Sequence, residues 1–213
     1  LNKKLSKIIE YKPCKMKNNL IVILSDASYI KQAKQLLSSI YHNSGWEGDY
    51  MLLAYEIPNS KLQWFRKKGV LIKKVKPLIN FRQGNLPPTV FAKFYLFTPF
   101  FKKWNKIIYL DADIIVQAPI TQLVKLHGFN AVKDYLSPKL FHQFENTKQN
   151  SILSAKLKKK FILDEEAFNS GVMVFSTDII EKDAIKKLSI LAKTYLNILR
   201  FGEQSPLNLY FYK

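Results

Sequence analysis

Asp111 and Asp113 stand one residue apart, directly after the apolar run 107–110 and before a second run at 114–116. In a continuing strand the side-chain period is two, so both carboxylates would point to one face. Two like charges held so close are unfavourable unless a cation joins them. The spacing suits magnesium or manganese bound by one or two carboxylates and completed by substrate phosphate oxygens. The plainer reading is a solvated turn after a strand, because Asp is common in turns. Apolar runs on both sides favour the cation.

Other polar residues interrupt apolar runs where ligands are commonly met. The run 20–24 stops at Ser25 and Asp26, after which Tyr29, Ala33, Leu36, Leu37 and Ile40 recur with helical spacing. In an open α/β sheet such a strand–turn–helix opening puts its turn at the carboxyl ends of the strands, where ligands bind. Asn169, Ser170 and Gly171 form a polar centre in the strand-like stretch 167–175. Gly171 there marks either a close approach of backbone to ligand or a strand bulge. His42, His127 and His142 are scattered and read as surface or packing residues. Cys14 is the only cysteine, which excludes an intramolecular disulfide and a cysteine-based zinc site.

Positioning these residues takes an alternating series of elements. Beyond 20–24, strands are expected at 50–55, 70–75, 106–110, 129–132 and 167–175. Helices are expected at 60–68 and 119–126, and over 89–101 with an end or kink at Pro99. Asp178, with Glu181 three residues on, is expected to cap a long amphipathic helix. Its apolar face carries Ile180, Ala184, Leu188, Leu191, Tyr195 and Ile198. Residues 77–88 read as a loop with turn signals at Gly84-Asn85 and Pro87-Pro88. Residues 137–160 are polar and irregular and are expected to form a mobile loop, a candidate acceptor or lid region. The alternation predicts an α/β fold, a mostly parallel Rossmann-like sheet flanked by helices. It is expected as a single domain over 18–213, preceded by a basic leader at 1–17.

Hydrophobic residues make up 47% of the 213 and charged residues 23%, which excludes a disordered chain. Thirty-four Lys+Arg against sixteen Asp+Glu give a net charge of +18. Such an excess attracts polyanions, whether nucleic acid, an anionic membrane surface or a diphosphate. Coding bias explains much of it, since Arg occurs only as Arg66, Arg82 and Arg200. Readers of bases and phosphates are richer in Arg, which argues against a nucleic-acid-binding module. No apolar run reaches the ~18 residues of a membrane span. The expected location is cytoplasmic, at most peripheral to a membrane.

Four segments, in order, resemble family 8 glycosyltransferases, the group containing glycogenin and bacterial lipopolysaccharide galactosyltransferases. The segment Ile107-Ile-Tyr-Leu-Asp-Ala-Asp-Ile-Ile-Val116 is similar to the family's metal-binding strand. Residues 21–29 resemble its first strand and uridine-binding turn. The Asn-Ser-Gly-Val segment at 169–172 and Gly202-Glu-Gln-Ser-Pro-Leu-Asn208 resemble two sugar-site segments. The resemblance runs from about residue 20 to the end of the chain.

This resemblance implies an A-type glycosyltransferase fold, a UDP-sugar donor, manganese (magnesium as the alternative) and retention of anomeric configuration. The acceptor would be a glycan, glycoprotein or glycolipid. The backbone at Ile23 and Ser25 and the side chains of Asp26 and Tyr29 would hold uridine. Lys93 matches a basic residue that contacts the donor, and Ala112 would lie near the ribose. Asp111 and Asp113 would hold the metal, and Asn169, Ser170 and Gly171 would line the sugar site. Glu203 and Gln204 match an Asp-Gln pair beside the transferred sugar and are the expected catalytic residues. Glu203 departs from the usual Asp by one methylene, and both also suit the first turn of a helix. The family's His-x-x-Gly-x-x-Lys segment, which supplies a third metal ligand, has no match before Lys213. Either the sequence is truncated, or water or another residue completes the site. The missing segment keeps a catalytically inactive UDP-sugar binder as the rival reading.

Overall fold

Residues 20–24 are apolar without alternation, as a strand covered on both faces requires, and all are buried. They form the core of β1 (Asn19–Ser25). The computed structural model describes residues 18–79, 87–145 and 151–211. The basic leader, Cys14 and the Gly84-Asn85 turn lie outside the described residues. β1 pairs in parallel with β2 (Asp49–Tyr55) and with β4 (Lys106–Asp111), and β2 pairs in parallel with β3 (Leu71–Val75). β6 (Phe168–Ser176) lies between β4 and β5 (Phe129–Lys133), antiparallel to both. The sheet order is β3-β2-β1-β4-β6-β5, so β6 alone runs against five co-directional strands.

Alternate residues of β1 feed two cores. Ile21 and Ile23 pack with Ala33, Leu36 and Ile40 of α1 (Ile30–Asn43) and Leu62 and Phe65 of α2 (Asn59–Lys67). Leu20, Val22 and Leu24 face an aromatic core of Phe91, Phe94, Phe97, Phe101 and Trp104. This core is closed by α4 (Ala184–Tyr195) and α5 (Gln204–Tyr210). Phe97 stacks on Phe175 with ring centroids 5.0 Å apart, and Phe129 on Phe211 at 3.8 Å.

Four expectations change. The aromatic stretch is two 3-10 helices, Pro88–Phe97 and Pro99–Lys103, parted by extended Thr98 (ψ 151°). Proline disfavours the helical region for the residue before it. The 119–126 helix is a 3-10 turn, Thr121–Lys125. Asp178 lies in a separate 3-10 turn, Thr177–Ile179, and α4 starts only at Ala184 with Asp183 in the N-cap position. The region expected to be irregular contains a 3-10 helix, Leu140–Gln143, and α3 (Ser151–Lys160). α3 buries only Ser154 and Leu157, too narrow a stripe to announce a helix by periodicity. No helix among the described residues is long and apolar enough to cross a membrane.

Candidate active site

β4 delivers Asp111 as its last residue, at the carboxyl end of the parallel strands. The chain then turns, and the Ile114 N–H donates to the Asp111 carbonyl oxygen at 3.1 Å. Ala112 and Asp113 belong to this turn. Strand periodicity therefore does not place the two aspartates together, as expected above; the turn does. Both line a cleft of about 240 Å³ with Ser25, Asp26, Tyr29, Lys93, Ala112 and Glu203. Five further residues line it that the sequence patterns do not single out: Leu24, Pro87, Thr89, Val90 and Tyr109. Tyr109 was accessible to the period-two rule, because it precedes Asp111 by two within β4. Its hydroxyl donates to Asp111 Oδ1 at 2.6 Å.

Lys93 is buried in the cleft wall, at 5% exposure, rather than extended into solvent like an ordinary lysine. Its ammonium lies 2.7 Å from Glu203 Oε1 and 3.0 Å from Asp111 Oδ1. It also donates to Ser170 Oγ at 3.1 Å and stands 5.1 Å from the Tyr109 ring centroid. Burial alone would lower the Lys93 pKa; the Glu203 and Asp111 carboxylates outweigh it and raise it. Burial pushes the Glu203 carboxyl up, against the pull of Lys93. Burial, then the Asp111 charge and hydrogen bond, hold the Tyr109 hydroxyl well above its usual range, so it stays a donor.

β6 supports the cleft from behind through an irregularity. Its pairing with β5 jumps from Ala131↔Met173 to Val132↔Asn169, leaving residues 170–172 as a bulge. Asn169 Oδ1 accepts from the Gly171 N–H at 2.8 Å and stabilises the bulge. A Cβ on Gly171 would come within 2.9 Å of Asp111 Oδ2, so this glycine makes room for the carboxylate. Gly171→Ala is expected to displace Asp111 and cost ~1–3 kcal/mol, the usual range for overpacking. Chemical denaturation with calorimetry of metal-dependent nucleotide binding checks this; wild-type values for both would show that Asp111 swings aside freely.

Gly202 has a positive φ of 54°, which favours glycine, and turns the chain into α5. Glu203 thereby enters the cleft, while Gln204 stands behind it. Gln204 Oε1 accepts from the Ser170 N–H at 3.0 Å, and its Nε2 donates to Asp134 Oδ2 at 2.9 Å. Asn169, Ser170 and Gly171 also support the cleft from behind and are absent from its lining.

Asp26 Oδ1 accepts from the Ser28 N–H (2.8 Å), the Ser28 hydroxyl (2.6 Å) and the Tyr29 N–H (3.2 Å). Burial works to raise its pKa, but these bonds, with one from Thr89, lower it. Tyr29 is 49% exposed at the cleft rim, so its ring has a free face. Ile23 is not brought to the cleft. It lies inside β1 between β2 and β4, with its side chain in the α1/α2 core, and Leu24 and Ser25 line the cleft instead. His42 packs edge-on against Tyr41, and His127 is exposed.

Four carboxylates (Asp26, Asp111, Asp113 and Glu203) face one ammonium, Lys93, in this cleft. A chain of net charge +18 thus has a locally acidic pocket. Asp111 and Asp113 suit a hard divalent ion that completes its shell with water and phosphate oxygens. No group of three or more His, Cys, Asp or Glu able to hold a metal occurs among the described residues. Two carboxylates leave most positions around such an ion to water and phosphate oxygens, the donor set of an open site rather than a closed protein cage. Two larger grooves, about 490 Å³ beside α3 and 510 Å³ between α1 and α2, lack this convergence of charge.

The family model described as glycosyl transferase family 8 matches residues 20–213. No curated protein matches the chain. Among solved structures, the galactosyltransferase LgtC in complex with donor and acceptor sugar analogues superposes with a TM-score of 0.68 at 20% identity. That match covers 89% of this chain and 69% of LgtC. An active-site glutamine-to-glutamate mutant of LgtC matches with a TM-score of 0.69 at 18% identity and the same coverage. The glycosyltransferase GlyE of Streptococcus pneumoniae TIGR4 gives 0.57 at 24% identity, over 92% of this chain and 44% of that one. At these identities the likeness is one of fold, the A-type arrangement of a mixed sheet flanked by helices.

Proposed function

Because the chain belongs to glycosyl transferase family 8, we propose that it transfers a hexose from a UDP-sugar to a glycan, protein or lipid acceptor, with retention of configuration. The observation that carries this reading is the acidic cleft at the strand ends. A diphosphate does not enter four carboxylates unaided; a divalent cation offsets two of their negative charges and gives the phosphate oxygens a positive centre to bind. Manganese or magnesium held by Asp111 and Asp113 would neutralise charge on the departing diphosphate. The exposed Tyr29 ring offers a stacking face for uracil, and Asp26 Oδ2 faces the same cleft, accepting from Thr89 at 3.2 Å.

Transfer breaks the bond from the anomeric carbon to the diphosphate oxygen and forms one to an acceptor hydroxyl oxygen, whose proton must leave. Gln204 is a poor nucleophile: an amide lacks charge, and both its ends are hydrogen-bonded within the protein. This favours attack from the leaving-group face, with a diphosphate oxygen taking the proton. Lys93 would hold donor charge at a fixed point, and Glu203 would stabilise positive charge growing on the sugar.

Calorimetric titration with UDP, with and without manganese, tests the reading. Asp113→Asn is expected to abolish the manganese-dependent part while the fold persists. The same titration with GDP should show weaker binding. Manganese-dependent affinity that survives in the mutant removes the metal assignment, and equal GDP affinity removes the uridine assignment. Release of UDP from a UDP-sugar separates an enzyme from an inactive binder.

A further inference from the structure

Asp134 directly follows β5 and is buried, at 7% exposure, without a lysine or arginine among its hydrogen-bond partners in the described residues. Oδ1 accepts from the Leu136 N–H (3.2 Å) and the Ser137 N–H (3.0 Å). Oδ2 accepts from Gln143 Nε2 (3.2 Å) and Gln204 Nε2 (2.9 Å). Gln143 is fully buried, and its Oε1 accepts a second bond from Gln204 Nε2 at 3.0 Å. An ionised carboxylate only accepts and a backbone N–H only donates. Gln204 lies between the two, so its NH₂ must face Asp134 and its oxygen must face the Ser170 N–H. The opposite orientation would set oxygen against carboxylate and NH₂ against N–H.

We propose that Asp134 is a positioning residue for sugar transfer: by fixing which way round the Gln204 amide stands, it holds the Ser170 bulge that braces Lys93 and Glu203. This deepens, and rests on, the glycosyl-transfer reading above. The connection runs through hydrogen bonds at every step. Asp134 orients Gln204, Gln204 Oε1 anchors the Ser170 N–H, and Ser170 Oγ bonds to Glu203 Oε1 at 3.1 Å and to the Lys93 ammonium. It also joins the polar region beginning at Ser137 to the cleft, so an acceptor bound near that region and the donor site would share one buried junction.

A charge exchange tests the proposal. In Asp134→Asn the side chain must offer either its NH₂ to the Leu136 and Ser137 N–H groups or its NH₂ to that of Gln204, and each choice is a mismatch. In Gln204→Glu two carboxylates meet in a buried place. Combining them restores the central pair, because the introduced amide donates to the introduced carboxylate and the Ser170 N–H keeps an acceptor; the recovery is partial, since a Gln143 flip to match would give up the bond from its Nε2 to the Ser137 carbonyl oxygen (3.3 Å). Each single variant is expected to lower UDP-sugar turnover about 10–100-fold, as loss of outer-shell partners does, with UDP affinity within about threefold of wild type. Each should also melt at a lower temperature. The double variant should recover both turnover and melting temperature beyond the sum of the single effects. Additive losses overturn the proposal, as do coupled melting temperatures with turnover unchanged throughout. If the wild-type protein turns over no UDP-sugar, the glycosyl-transfer reading fails separately, and the melting cycle alone decides whether Asp134 orients Gln204.

Discussion

Replacing Lys93 with methionine is expected to destabilise the fold by ~3–5 kcal/mol, the cost of breaking a buried ion pair from one side. The side chains of Lys93 and Glu203 are 6% and 7% exposed, so solvent does little to screen the charge left behind. Methionine refills the volume but leaves Glu203 facing Asp111, with Ser170 Oγ and Tyr109 as the remaining donors. Domain stabilities are typically ~5–15 kcal/mol, so such a loss takes a large share of the total. Urea denaturation measures it. Adding Glu203→Gln to Lys93→Met should recover part of the stability by removing the stranded charge. A loss below about 1 kcal/mol for Lys93→Met would show that the carboxylates are solvated or protonated in the absence of the ammonium.

Glu203→Gln alone is expected to leave UDP affinity near wild type while turnover of the donor falls ~10–1000-fold, the range for removing one preorganised electrostatic group. Only the charge and one acceptor are lost. Lys93 retains Asp111 and Ser170 as partners, so the wall of the cleft persists. A contact made mainly in the transition state reduces turnover without a matching loss of ground-state binding. Paired calorimetry and UDP-release assays under saturating manganese decide the point. Weakened UDP binding in a folded variant would assign Glu203 to the nucleotide; full turnover would reduce it to the counter-ion of Lys93.

The parts of this molecule that could be read from sequence are those governed by short-range pattern. Residues 20–24 and 107–110 form buried strands because continuous apolar runs suit strands covered on both faces. Ala33, Leu36, Leu37 and Ile40 pack one helical stripe against them in the α1/α2 core. Strand direction was not legible: nothing in Phe168–Ser176 distinguishes an antiparallel strand from a parallel one. α3 hid because its stripe is narrow, and Asp113 was misplaced because a turn, closed by Ile114, replaces the strand period. Most of the residues clustered at the cleft could be nominated, but not their partners. Nothing local marks Lys93 as buried or Asp134 as the acceptor for Gln204. Such pairings come from topology, which brings distant chain segments to the carboxyl ends of the central strands.

β6 also ties recognition to global stability. It is the strand that joins β5 to the sheet, and it carries the bulge on which Lys93 and Glu203 rest. Opening β6 would release an edge strand and dissolve the cleft in one event. A ligand seated there is therefore linked to the unfolding of much of the sheet rather than to the fraying of a loop. At a hundred times its dissociation constant, a ligand that binds only the native state adds about 2.7 kcal/mol. In this architecture that increment appears in the main thermal transition, so candidate donors can be ranked by melting temperature before any acceptor is known.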